Sequence, residues 1–185
     1  GEGLAAVDDP SALFLADRRA GASGSVVTCT MEGSRPLCVE VQALVSDSDA
    51  PVPRRVARAV EQTRLAMLLA VLHERARVAF ERSDVYVSVA GGVRLAEPGA
   101  DLAVSVALAS ARSGHAVAAD TVVIGEVGLG GEVRQVPHLA RRMSEAQRLG
   151  FRRAVVPASS PEVPGIERVP VDDLGAALGA AIGAG

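Results

Sequence analysis

Any chemistry in this chain rests on few side chains: two cysteines, three histidines (His73, His115 and His138), and 19 basic residues set against 22 acidic ones. All 19 basic residues are arginine. A guanidinium stays protonated in proteins, so it binds carboxylate or phosphate but cannot act as a base. Any mechanism that needs a lysine is excluded for this chain. The run Gly128-Leu129-Gly130-Gly131 is therefore read as a turn, because a phosphate-cradling loop ends in Gly-Lys-Ser/Thr. Cys29 and Cys38 lack the second cysteine pair that a structural zinc site usually requires. Two cysteines do not make a disulfide framework, so they are expected as reduced thiols in a cytoplasmic protein.

The elements that would position these groups are readable in outline. Residues 25–45 are Val-rich and alternating, and break at Glu32-Gly33-Ser34-Arg35-Pro36. That pattern predicts a hairpin with Gly33 and Ser34 in its loop and Cys29 packed opposite Cys38. Residues 54–75 lack Gly and Pro, and Val56, Val60, Met67 and Val71 recur at helical spacing beside Leu65, Leu68, Leu69 and Leu72. One long helix is expected there, with Arg54, Arg55 and Arg58 on its polar side. Strands are expected at 84–90, 121–125, 132–136 and 153–156. Helices are expected at 101–112, capped by Asp101, at 139–149, and at 174–182 before a frayed end at 183–185.

The chain of 185 residues fits one domain spanning 1–185, with a core of Ala, Val and Leu. Small aliphatic side chains favour helices packed closely on sheets, so the expected class is α/β. No apolar run is long enough to span a membrane, and the acidic start, with Glu2, Asp8 and Asp9, is unlike a secretory signal. The formal charge of −3 is unevenly spread: residues 133–156 carry six arginines against Glu145 alone. A basic face is expected there.

Many segments, in order and spacing, resemble the C-terminal domain of the bacterial DNA-repair ATPase family RadA, also called Sms. Among them are Val39-Glu40-Val41-Gln42-Ala43-Leu44-Val45, Pro53-Arg54-Arg55-Val56-Ala57, Arg64-Leu65-Ala66-Met67-Leu68-Leu69-Ala70-Val71-Leu72, Gly91-Gly92-Val93-Arg94, Glu97-Pro98-Gly99-Ala100-Asp101-Leu102-Ala103 and Gly150-Phe151-Arg152-Arg153-Ala154-Val155-Val156-Pro157. The likeness covers nearly the whole chain. It implies a Lon proteolytic-domain-like fold of the ribosomal protein S5 domain 2-like kind, with mixed sheets and packed helices.

Lon-type proteases use a Ser-Lys pair. The segment resembling the serine site carries Gly99 after Pro98, and a gap-free count from Gly131 to Gly150 puts Ala140 at the lysine position. Both dyad positions are then vacant, which implies a pseudo-protease with no catalytic residue and no metal. ATP, Mg and Zn are expected only in the missing ATPase and zinc-binding parts of the parent protein. By resemblance, the partners are a second copy in a homo-hexamer, DNA, the ATPase core in cis, and recombinases or other repair proteins, in the cytoplasm at the nucleoid. Candidate contacts to DNA or a neighbouring subunit are Arg54, Arg55, Arg58, Arg141, Arg142, Arg152 and Arg153. The alternatives are a residual serine hydrolase, with His138 the residue to test, and a docking module for other repair proteins.

Overall fold

The computed structural model describes residues 9–182. The acidic start 1–8 and the end at 183–185 lie outside them. The order is α1 (Pro10–Leu15), β1 (Ser25–Glu32), β2 (Arg35–Asp47), β3 (Arg55–Ala57), α2 (Gln62–Ala76), β4 (Ser83–Val89), α3 (Asp101–Ser113), β5 (Thr121–Val123), β6 (Glu126–Val127), β7 (Val133–Arg134), α4 (Leu139–Arg148), β8 (Arg153–Pro157), β9 (Glu167–Val171) and α5 (Leu174–Ile182). Short 3₁₀ turns occupy Ala90–Gly92 and Pro98–Ala100. This is the α/β class expected: a mixed sheet of seven strands, ordered β3-β4-β2-β1-β5-β8-β9, with β6 and β7 forming a separate small ribbon. Among the described residues, no helix is long and apolar enough to cross a membrane.

The β1–β2 hairpin forms as its alternation requires. Glu32 pairs with Arg35 across a loop of Gly33 and Ser34, and Cys29 faces Cys38. Gly33 takes a φ of +61°, which glycine adopts without steric cost. The two cysteines do more than pack. Facing positions with Cα atoms 4.1 Å apart bring the sulfurs together, and they are joined as a disulfide instead of remaining the expected reduced pair.

Alternation along β1 and β2 sends side chains to two cores. Val26, Val39 and Val41 pack with α2, α3 and α5, whereas Val27, Cys29 and Cys38 pack with Leu139, Met143 and Ala146 of α4. Helix α3 lies deepest, with ten consecutive residues from Asp101 to Ser110 buried. Five of those ten are Ala or Ser, and such small side chains allow close packing on all sides.

The long helix expected over 54–75 is two elements. Arg54 and Arg58 flank the edge strand β3, which pairs in parallel with β4, and the helix starts only at Gln62. The apolar spacing of Val56 and Val60 mimicked a helix. The competing outcome won because β4 offers a free edge: the Val85 N–H donates to the Arg54 carbonyl and the Arg58 N–H to the Val87 carbonyl, both at 2.9 Å. Ala59, at φ +65°, then breaks any helical run. Asp101 is not a cap either. It occupies the first turn of α3, and its carboxylate serves an ion pair described below. The sequence reading passed over α1 and β9. α1 is short, but Asp9 caps it by accepting from the Ala12 N–H at 3.2 Å and Pro10 opens it. β9 carries Pro170, which suits an edge strand.

Leu72 is fully buried on α2. Leu72→Ala is expected to lower unfolding free energy by about 2–5 kcal/mol, read as a lower urea midpoint at an unchanged slope.

Candidate functional site

The segment Glu97-Pro98-Gly99-Ala100 forms a 3₁₀ turn leading directly into α3. It is stitched to the strand beside it: the Gly125 N–H donates to the Gly99 carbonyl and the Leu102 N–H to the Gly125 carbonyl, each at 3.0 Å. Gly99 is buried. A Cβ placed on it would stand 2.9 Å from Nη1 of Arg142 and 3.4 Å from Oε1 of Glu97.

Arg142 reaches this turn from α4, and its side chain is 1% exposed. Its Nη2 donates to Glu97 Oε2 at 2.8 Å, and its Nη1 donates to Glu97 Oε1, completing a fork-to-fork pair. Nη1 also donates to the Cys29 carbonyl at 3.2 Å, and Nε to the Pro137 carbonyl at 3.0 Å. Thr30 donates to Glu97 Oε1 at 2.9 Å. Burial pushes the Glu97 carboxyl up, but the bonds from Arg142 and Thr30 outweigh it and hold the group below its ordinary value of 4.5.

The place beside Gly99 therefore holds an engaged carboxylate and a guanidinium that cannot accept a proton. Ala140, the position expected to face it, is exposed on α4. Side chains on a helix turn about 100° per residue, so the residue two positions on faces inward where Ala140 faces out. The counterpart of Gly99 on α4 is Arg142.

A second ion pair brackets the same helix start. Arg64 of α2 pairs with Asp101, whose side chain is 6% exposed and whose Oδ2 accepts from the Val127 N–H at 3.3 Å. Burial raises the Asp101 carboxyl, and Arg64 offsets that only in part. Glu97 and Asp101 thus tie the turn to α4 and α2 respectively.

The candidate arginines do not share one surface. Arg54 is exposed; Arg55 donates to the carbonyls of Phe80, at 2.7 Å, and Ser83, and is a structural clamp. Arg58 is exposed. Arg141 is exposed and donates to the Ser34 carbonyl, Arg152 is exposed, and Arg153 lies 3.8 Å from Glu167. Arg142 is removed from the surface set by its burial. Five strand spacings, roughly 24 Å, separate the β3 arginines from those of β8. The basic face expected over 133–156 is reduced to Arg141 and Arg152, because the other four arginines there pair with carboxylates. Arg134 pairs with Glu132, Arg142 with Glu97, Arg148 with Asp9 and Glu145, and Arg153 with Glu167. His138 is exposed, in a left-handed conformation ahead of α4. Sequence reasoning missed Glu97, Arg64 and the pairing role of Asp101. Their partners lie 37 to 45 residues away in the chain, beyond any local pattern.

The fold and site define a mixed α/β domain whose central helix start is closed by two ion pairs. The profile of a protein family described as subunit ChlI of Mg-chelatase matches residues 52–160, and the chain belongs to that family. Among the described residues, no group of three or more His, Cys, Asp or Glu is placed to hold a metal ion. The chain is also similar to proteins named DNA repair protein RadA. It is 50% identical to that of Escherichia coli strain K12 over 86% of the chain and 35% of the relative. It is 46% identical to that of Mycobacterium tuberculosis strain H37Rv over 95% of the chain and 37% of the relative. It is 41% identical to that of Bacillus subtilis strain 168 over 98% of the chain and 41% of the relative. The chain thus spans between a third and two fifths of the length of these relatives.

Arg142→Met is expected to destabilise the fold by about 2–4 kcal/mol, less than a fully buried pair because Glu97 keeps some water contact. Glu97→Gln is expected to show a pH signature. A carboxyl lowered on folding stabilises above its unfolded value, and that contribution is lost as pH falls through the folded value. The difference in urea midpoint between parent and variant should be full at pH 7 and close as pH drops below about 4.5. A difference independent of pH would mean that shape, not charge, is what Glu97 contributes.

Proposed function

We propose that this chain is a non-catalytic, Lon-like scaffold domain of a DNA-repair ATPase, which supports a hexameric ring and engages DNA during branch migration. The observation that carries the non-catalytic half is the place beside Gly99: the backbone offers no nucleophile there, and the buried Arg142–Glu97 pair fills the space a base would need. The repair role rests on the name carried by the relatives, and the ATP-hydrolysing and zinc-binding parts would belong to the remainder of a longer protein. Ring formation draws support from an exposed apolar row at the β3 end of the sheet. Leu44, Tyr86 and Val56 lie in one cross-strand row over β2, β4 and β3, with Leu44 64% and Val56 39% exposed. An exposed apolar row suits contact with another copy, although the outer edge of β3 is capped by Gln62, which accepts from the Ala57 N–H at 3.1 Å and donates to the Arg55 carbonyl.

Light scattering over a concentration series should give six times the chain mass of 18.9 kDa, and a monomer at every concentration would defeat the scaffold reading. A fluorogenic peptide should not be turned over. Turnover that disappears in His138→Ala would instead favour a residual hydrolase.

A further inference from the structure

One cleft lies outside the ion-paired turn and is built differently from it. It has a volume of about 450 Å³ and is lined by Arg58, Ser88, Gly91, Gly92 and Arg94, with Ala59 and the β4 end completing the wall. No acidic residue lines it. Arg58 and Arg94 are both exposed. Several arginines of the fold are claimed by carboxylates or carbonyls, as at Arg55, Arg64, Arg142 and Arg148. Among the described residues, neither the Arg58 nor the Arg94 guanidinium has such a partner.

The backbone explains why the two meet. Ala59 accepts from the Leu95 N–H at 2.8 Å, and Val60 bridges Leu95 in parallel, so the segment after β3 runs beside the segment after Gly92. Between them the chain turns on Gly91 and Gly92, at φ +79° and +74°. A Cβ on Gly92 would meet nothing within 4 Å, so the wall there is bare backbone that a ligand can approach closely. The cleft on the other side of Gly91 carries the carboxylates of Asp17 and Glu40, and Glu40 accepts from Ser25 and Gln42.

We infer that this cleft binds a phosphoryl group, held between the Arg58 and Arg94 guanidiniums with the Ser88 hydroxyl as a further donor. Two forked cations, a hydroxyl and uncovered backbone suit a tetrahedral anion with several acceptor oxygens. The group could belong to a nucleic-acid strand or to a free phosphoryl compound. The strand version rests on the DNA reading above; the cleft itself does not.

The test uses the 185-residue chain, the double variant Arg58→Gln/Arg94→Gln, and Arg82→Gln as a control of exposed charge at the opposite end of β4. Thermal melts confirm folding of each. Binding of a fluorescein-labelled oligothymidine is titrated across salt concentrations, and inorganic pyrophosphate binding is followed by calorimetry. The double variant should lose oligothymidine affinity by on the order of 10-fold at low salt, with the log–log salt slope reduced by about 1.4, as expected for two single-strand phosphate contacts. Arg82→Gln should match the parent in that slope to within about 0.7. Competition of pyrophosphate for the oligonucleotide would place both in one cleft. Pyrophosphate bound by the parent and lost in the double variant, with no oligonucleotide binding by either, would keep the cleft, assign it to a free compound and remove the DNA reading. Unchanged oligonucleotide affinity and slope in the double variant, with no loss of pyrophosphate binding, would overturn the cleft while leaving DNA contact elsewhere intact. No binding of either probe by the parent would overturn both.

Discussion

A guanidinium held at 1% exposure must have its donors satisfied, and much of this architecture follows from how Arg142 meets that demand. Its four donated bonds reach β1 at Cys29, the turn at Glu97 and the loop at Pro137. Each partner is fixed by a different element, so the interaction is available only when the hairpin, the turn before α3 and α4 are all in place. A charge buried without such partners would cost several kcal/mol. The pair is therefore better understood as selecting one arrangement of elements than as adding net stability.

The same pair decides what the turn can do. In a Ser-Lys hydrolase the nucleophile needs an unprotonated amine beside it. Here the place in the turn before α3 is held by Gly99, and the group facing it is a cation that keeps its proton. The neighbouring Arg64–Asp101 pair closes the other side, and the burial of Asp101 raises its carboxyl despite that partner. Both pairs hold the start of the most buried helix, which is where any displacement would spread furthest through the two cores.

Part of the positive charge on this molecule is spent internally. Arginines at 134, 142, 148 and 153 face carboxylates, so a count of basic residues overstates the surface available to an anion. Among the described residues, Arg58 and Arg94 stay unpaired beside a cleft that no acidic residue lines. That cleft lies between the β3 exit and the Gly91-Gly92 turn, away from the ion-paired turn.

Several features were legible in the residues alone. Alternation with a Gly33-Ser34 break placed the first hairpin and set Cys29 opposite Cys38, and the Ala/Val run from Asp101 predicted a helix. The composition also removed lysine-dependent chemistry outright. These are local or compositional properties, and local periodicity is enough to read them. It misled where two outcomes share one pattern: Val56 and Val60 fit a helix until β4 supplied a free edge for pairing. The ion pairs could not be read at all, since Glu97 and Arg142 stand 45 residues apart and nothing in either neighbourhood marks the other. The sequence by itself determined the first hairpin with its register, the helices entered at Asp101, Leu139 and Leu174, and the exclusion of lysine-dependent chemistry. Only the tertiary structure decided which arginines are buried, which are paired and which remain free, because those fates depend on contacts between distant segments that form when the layers pack.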